Sequence, residues 1–245
     1  MRDFSRLLRP RNIAVVGGGD WCRSVITSAQ GIGFQGNIIP VHPDGKVIAG
    51  INSLTSLADH PDEIDAVFVG INRMGTIDAV RHLRELGVGG AVCFASGFTE
   101  AKAEDTHAET LQSQLLEAAG DMPILGPNCY GFVNYLDRVA LWPDQHGGQP
   151  RHSGVAIVTQ SSNIAINLTM QKRGLPLAYI VTAGNQAQTT SAEIGAALLT
   201  DKRVTALGLH IEGFGDLAAY EALARQAQAL GKTVVALKVG KSAQA

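Results

Sequence analysis

Again and again along this chain a short run of β-branched and other apolar residues ends at a Gly or polar cluster. In most cases an amphipathic stretch of helical period follows. Runs that are apolar throughout, with no in/out alternation, are the mark of strands buried on both faces, and helices between them make the sheet parallel. Glycine usage supports this: 28 of 245 residues, about 11% against a usual ~7%. They stand singly or in short groups at the ends of the apolar runs, as strand–loop–helix junctions require.

The first five strands are predicted at 12–16, 37–41, 66–70, 90–94 and 123–126. Helical stretches fall between Gly19 and Gln30, at 76–86, where Ile77, Val80, Leu83 and Leu86 recur every three residues, and at 100–119. From Phe132 to Ser153 the pattern lapses into a polar, turn-rich segment, and the domain boundary is placed near residue 145. The alternation then restarts, with strands at 155–158, 178–181, 204–209 and 233–237 and helices from Ser162, at 191–199 and at 217–230. The last strand has no crossover helix after it, so the second domain reads as cut short.

Several function classes are excluded by composition. Twenty Lys+Arg against 22 Asp+Glu give a net charge of −2, without the basic footprint of a nucleic-acid binder. No run approaches the roughly 18–20 apolar residues of a membrane span, and no apolar h-region follows the charged N-terminus. Cys22, Cys93 and Cys129 are too far apart for a disulfide framework or a zinc site. A cytoplasmic protein with reduced thiols is expected. The seven histidines offer no metal pair, and no Gly-x-Ser-x-Gly motif is present.

Ligands of open α/β sheets bind outside the carboxyl ends of the strands. Gly17-Gly18-Gly19 lies directly after the first strand, where glycines admit a phosphate to the helix N-terminus; a tight turn with no ligand fits the same residues. Its spacing matches G-x-G-x-x-G only in part. Val41-His42-Pro43 stands where a ribose-binding acid belongs in NAD enzymes, which argues against an NAD-dependent oxidoreductase. Lys46 could meet a phosphate laid across the strand ends, or be an ordinary surface lysine. Gly126-Pro127-Asn128-Cys129-Tyr130-Gly131 presents an amide and a thiol beyond a strand end, or simply closes the domain through an Asx-type turn. Nothing nearby would activate Cys129, which reads as packed.

In the second domain Ser161 and Ser162 open a helix. They would form an anion site there, or act as plain N-caps. Gly184-Asn185-Gln186 and His210-Ile211-Glu212-Gly213 end the next two strands. Three strand ends carrying Ser, Asn and Glu converge on one sheet edge, where the reactive site of this domain is expected.

Taken together these landmarks resemble the nucleoside-diphosphate-forming acyl-CoA synthetase superfamily, which includes the α subunit of succinyl-CoA synthetase and ADP-forming acetyl-CoA synthetases. The resemblance runs over the whole chain. It is carried by Ile13–Gly17, Ile39–Pro43, Ala95–Glu100, Gly126–Gly131, Val158–Ser162, Gly184-Asn185, Ile211–Gly213 and Val235–Ser242.

The resemblance implies a Rossmann-like parallel-sheet CoA-binding domain over 1–145 followed by a flavodoxin-like α/β domain of succinyl-CoA synthetase type over 146–245. Coenzyme A would lie along the first domain's strand ends. Gly17, Gly18, Gly19, Pro43 and Lys46 would be near the phosphates, Ser96, Gly97 and Phe98 by the pantetheine, and Asn128 near the thiol. Ser161 and Ser162 would hold a phosphoryl group, and Glu212 would orient a phosphorylated histidine. The implied reaction joins an organic acid to CoA with a nucleoside triphosphate, through an acyl phosphate and a phosphohistidine. ATP or GTP would be handled by an ATP-grasp domain or subunit outside this chain, in an oligomeric enzyme. The family's phosphorylated His lies beyond the Lys-Val-Gly-Lys-Ser run, and none of the seven histidines here matches it. Trp21 is bulky where small residues are common. The alternative is a non-catalytic CoA- or acyl-CoA-sensing module, as in relatives attached to a protein acetyltransferase.

Overall fold

The computed structural model describes residues 2–240; the Lys241-Ser242 end of the last motif, and the chain end read as a truncation, lie outside them. A short helix, α1 (Ser5–Leu8), leads into β1 (Asn12–Val16), α2 (Asp20–Ile32) and β2 (Asn37–Val41). A small hairpin of β3 (Val47–Ile48) and β4 (Ile51–Asn52) follows. The chain continues through β5 (Ala66–Val69), α3 (Arg73–Glu85), β6 (Ala91–Cys93), α4 (Ala108–Ala119) and β7 (Ile124–Leu125). The first sheet has the order β2-β1-β5-β6-β7 and is parallel throughout. Ile13, Val15, Phe68 and Val92 pack on one face, and Ala14, Val67, Val69 and Cys93 on the other. Both faces are dry, so the alternation of a half-exposed strand is missing from the sequence.

The chain then forms β8 (Phe132–Asn134), β9 (Val139–Leu141), β10 (Gly154–Thr159), α5 (Ser162–Met170), β11 (Leu177–Thr182), α6 (Ser191–Leu199), β12 (Val204–Ile211), α7 (Leu217–Ala229) and β13 (Thr233–Lys238). These make a second sheet of order β13-β12-β10-β11-β8-β9. It is parallel except where β8 runs antiparallel to both β11 and β9. The fold is thus a Rossmann-like sheet followed by a flavodoxin-like one, as expected. No helix among the described residues is long and apolar enough to cross a membrane.

Two local expectations need correction. The stretch from Phe132 was read as patternless, yet β8 and β9 lie in it, so the second sheet takes up chain from ahead of the expected boundary near 145. Asn134 sets that hairpin: its buried amide accepts from the Leu136 and Asp137 N–H groups and donates to Leu8 O and the Asp137 carboxylate. Arg203 then clamps Asp137 at 2.7 and 2.8 Å while also pairing with Asp201. The helix expected over 100–119 begins only at Ala108. Ahead of it, the Glu100 carboxylate turns back to accept from Gly97 N–H at 2.7 Å, and Asp105 accepts from His107 N–H at 2.8 Å. Such side-chain bonds to nearby backbone compete with helix formation.

Candidate functional site

Each sheet has a topological switch point, where a crevice opens at the carboxyl ends of the strands. In the first sheet the chain leaves β1 for β2 and then crosses to β5 on the other side of β1. The turn after β1 is built by glycine. Gly17 has φ +122°, and a Cβ there would stand 2.8 Å from Gly70 O and 2.9 Å from the Cys22 sulfur. Cys22 fills this space from α2, its thiol directed at the carbonyls of Val16 and Gly70. Burial pushes that thiol up to about 11, so it packs the turn as a neutral group. Gly18 lies under the His42 ring, whereas Gly19, the N-cap of α2, faces open space and offers no side-chain cap. The backbone N–H groups and positive end of a 13-residue helix are therefore presented across an open glycine.

The turn after β2 carries Pro43 and Lys46. No acid ends β2 at Val41. The nearest, Asp44, sits 3.2 Å from the ammonium of Lys46, which is more than half exposed.

Across the switch point the ends of β5, β6 and β7 enclose a cleft of about 500 Å³, lined by Gly70, Arg73, Phe94, Ser96, Asn128 and Tyr130, among others. It brings together Ser96 and Asn128, the residues the sequence pointed to on separate strands. Gly97 stands just outside, its carbonyl accepting from Arg73 at 2.7 Å. Phe98 is different: its ring is wholly buried in the core of the first domain and does not face the cleft. Cys129 is also buried, its thiol pushed up to about 12 by desolvation. Arg73 escaped the sequence reading. It is the first residue of α3, directly after the Asn72 cap, and also pairs with Asp105 at 2.6 Å. Its place just past a strand end was the available signal.

Beyond β7 the cleft meets the second sheet. Asn185 N–H donates to Pro127 O at 3.0 Å, Ala187 N–H to Gly126 O at 3.0 Å, and the amides of Asn128 and Asn185 meet at 3.4 Å. Gly184, at φ +55°, allows this zipper, because a Cβ there would run into Asn128 O at 2.7 Å. Glu100 closes the junction from the first domain by accepting from the Asn185 amide.

In the second sheet Ser161 is the N-cap of α5, its hydroxyl accepting from Ile164 N–H at 3.4 Å; Ser162 is the first helical residue. Glu212 follows β12 with an exposed side chain. The strand ends are gathered by Gln160, which the sequence placed inside the Val158–Ser162 motif without a role of its own. Its carbonyl accepts from the Glu212 and Gly213 N–H groups and its amide donates to Gly213 O at 3.1 Å. Gln186 reaches the same Gly213 carbonyl at 3.3 Å, and Lys238 donates to Glu212 O at 3.0 Å. Ser161 and Glu212 are thus tied to one knot, next to Gln160 on one side and bonded to it through the main chain on the other. Among the described residues there is no cluster of His, Cys, Asp and Glu able to hold a metal ion.

Residues 11–135 match a CoA binding domain, and residues 152–245 match a succinyl-CoA ligase like flavodoxin domain. The chain is 32% identical over its whole length to a trans-feruloyl-CoA synthase from an unknown prokaryotic organism, covering 36% of that protein. It is 26% identical over 97% of its length to an ADP-forming 4-hydroxybutyrate–CoA ligase of Nitrosopumilus maritimus, covering 35% of that one. It therefore spans about a third of the length of these relatives. Its fold superposes on acetyl-coenzyme A synthetase 1 of Ca. Korarchaeum cryptofilum with a TM-score of 0.85 at 23% identity, over 98% of this chain and 53% of the other.

Proposed function

The chain belongs to the NDP-forming acyl-CoA synthetase superfamily, and on that premise we propose that it is the coenzyme A-binding portion, with part of the ligase portion, of such an enzyme. The complete reaction would take an organic acid, CoA and a nucleoside triphosphate to acyl-CoA, nucleoside diphosphate and phosphate. The nucleotide would be handled by an ATP-grasp domain or subunit working with this chain in an oligomer.

The observation that carries this reading is the union of two strand-end sites by the Asn128–Asn185 zipper. On the first side, the uncapped N-terminus of α2 behind Gly19 and the ammonium of Lys46 suit the phosphates of coenzyme A. The cleft beside Ser96 and Asn128 suits its uncharged arm. The group would supply a thiol to the acyl carbon. On the second side, the N-terminus of α5 at Ser161 and Ser162 would hold a phosphoryl oxyanion. Glu212 would accept a hydrogen bond from one ring nitrogen of a histidine and so fix which nitrogen is free.

Lys46 gives a direct test. Its side chain is 59% exposed and pairs only with exposed Asp44 among the described residues, so Lys46→Ala leaves stability within about 0.5 kcal/mol. Losing one charge-assisted phosphate contact, worth about 1.5 kcal/mol, weakens CoA binding roughly ten-fold, with a smaller difference at high salt. Unchanged CoA affinity in this variant at low salt would remove Lys46 from the site.

A further inference from the structure

The N-terminal segment and α1 lean on the last turn of α6 and leave a cavity of about 200 Å³ against the second sheet. Thr200 and Asp201, on its rim, lead from α6 toward the amino end of β12. The cavity therefore lies at the opposite end of this sheet from Ser161 and Glu212. Arg2 borders it. One nitrogen of its guanidinium pairs with Glu193 at 3.2 Å, whereas Nε is sealed from solvent and has no hydrogen-bond partner among the described residues. Tyr179 is 1% exposed yet lines the cavity, and its hydroxyl makes no hydrogen bond among the described residues. Desolvation keeps that phenol protonated, so it is a donor. Arg9 lines the cavity too, and pairs with no acid among the described residues. Buried donors in folded proteins almost always have acceptors, so three donors around one cavity point to an acceptor that enters it.

Charge and shape narrow what that acceptor is. Two acids also border the cavity, but both are engaged. Arg203 bonds both oxygens of Asp201, and Asp3 accepts from Ser5 N–H at 2.8 Å. Arg2 shares its charge with Glu193, while the exposed Asp3 carboxylate and the negative end of α6 at Thr200 oppose a dianion such as phosphate. A single negative charge is what this balance supports. Phe4, Leu8 and Leu198 make the other side of the cavity apolar. The volume falls below the roughly 300–1,000 Å³ of sites for drug-sized ligands, so neither a nucleotide nor coenzyme A fits. We infer that this cavity binds a small monocarboxylate with a short apolar tail, the carboxylate held by Arg2, Arg9 and the Tyr179 hydroxyl and the tail packed against Phe4 and Leu198. It is a second ligand site, separate from the strand-end sites of the reaction.

Titration of the ¹⁵N-labelled 245-residue chain with butyrate, followed by amide NMR shifts, tests this and locates the ligand. The expected result is saturable binding with the largest shifts at Phe4, Tyr179 and Thr200. Butanamide, which keeps the tail and lacks the charge, should bind at least ten-fold more weakly, and so should inorganic phosphate. Tyr179→Phe removes only a hydroxyl that bonds nothing in the protein, and should weaken butyrate binding about five-fold. Arg2→Gln, at the chain's exposed start, should weaken it at least ten-fold. The variants' own spectra report their folding. Butyrate shifts confined to Ser161, Ser162 and Glu212 would overturn the proposal by placing the acid at the reactive strand ends. Equal affinity for butyrate and butanamide, unchanged affinity in Arg2→Gln, or no shifts at millimolar butyrate would overturn it as well.

Discussion

The turn after β1 makes a paired prediction, because two of its adjacent glycines differ in what surrounds them. At Gly17 an added methyl meets two obstacles, a backbone at φ +122° that L residues rarely adopt and contacts at 2.8 Å to Gly70 O and 2.9 Å to the Cys22 sulfur. Backbone strain of this type costs about 1–3 kcal/mol, and overpacking a tight site costs about 1–3 kcal/mol more. Against this, alanine restricts the unfolded chain and returns about 0.4–1 kcal/mol. Gly17→Ala is therefore expected to destabilise the protein by about 1–5 kcal/mol. At Gly19 the methyl meets nothing within 4 Å and φ is an ordinary −76°. The loss of a good N-cap, of about 0.5–1 kcal/mol, and the gain through the unfolded state nearly cancel there. Gly19→Ala should unfold in urea within about 0.5 kcal/mol of the parent, yet bind CoA at least ten-fold more weakly, because its methyl would occupy the space proposed for a phosphate. Urea titration followed by circular dichroism, with calorimetry for CoA, reads both. A Gly17→Ala protein as stable as the parent would refute the packing argument. Full CoA affinity in Gly19→Ala would refute the role given to the open N-terminus of α2.

Two further outcomes follow from the side chains around the sites. Cys22, Cys93 and Cys129 are all buried, and desolvation raises every one of them, Cys22 to about 11 and Cys129 to about 12. The folded chain thus keeps protons that the unfolded chain loses near pH 9, so stability is full below pH 9 and falls above it, the Cys22 contribution being spent by about pH 11 and that of Cys129 by about pH 12. The slope reaches about 1.4 kcal/mol per pH unit for each thiol, and a thiol reagent at pH 8 should label none of the three until denaturant is added. Protein that labels readily under native conditions would contradict their packing. Glu212→Gln should leave folding and CoA binding intact, since the Glu212 side chain is exposed and Gln160 holds the backbone there. In the complete enzyme it should lower phosphohistidine formation by ~10²-fold or more, and normal phosphorylation would make Glu212 a plain surface acid.

Much of the architecture was legible because its strands are buried on both sides. Ala66–Val69 and Leu177–Thr182 read as unbroken apolar runs and are buried along their whole length. β8 and β9 were not legible, since three-residue strands are too short to carry a period and the strand that β8 pairs with in the sheet, β11, lies more than 40 residues ahead. The start of α4 was misplaced because Glu100, a good helix former, is drawn instead to Gly97 and to Asn185 across the junction. The glycine turn, Ser96, Asn128 and Ser161 could be found, because strand ends collect ligand sites in any fold of this type. Which side of a loop a residue takes could not be read, and so Phe98 was grouped with Ser96 although its ring points into the core. The role of Gln160 was missed for a related reason: its value lies in reaching 53 residues along the chain to Gly213, a tertiary contact with no local signature.

The central claim is that the first strand-end site holds coenzyme A and does not hold a dinucleotide. It rests on the open glycine at α2, on Lys46, and on a β2 that ends without an acid to bind a ribose. Calorimetric titration of the purified chain with CoA and, separately, with NAD tests it most directly. Saturable binding of CoA with no heat from NAD up to millimolar concentration is the expected result; saturable binding of NAD with none of CoA at the same concentrations would contradict it.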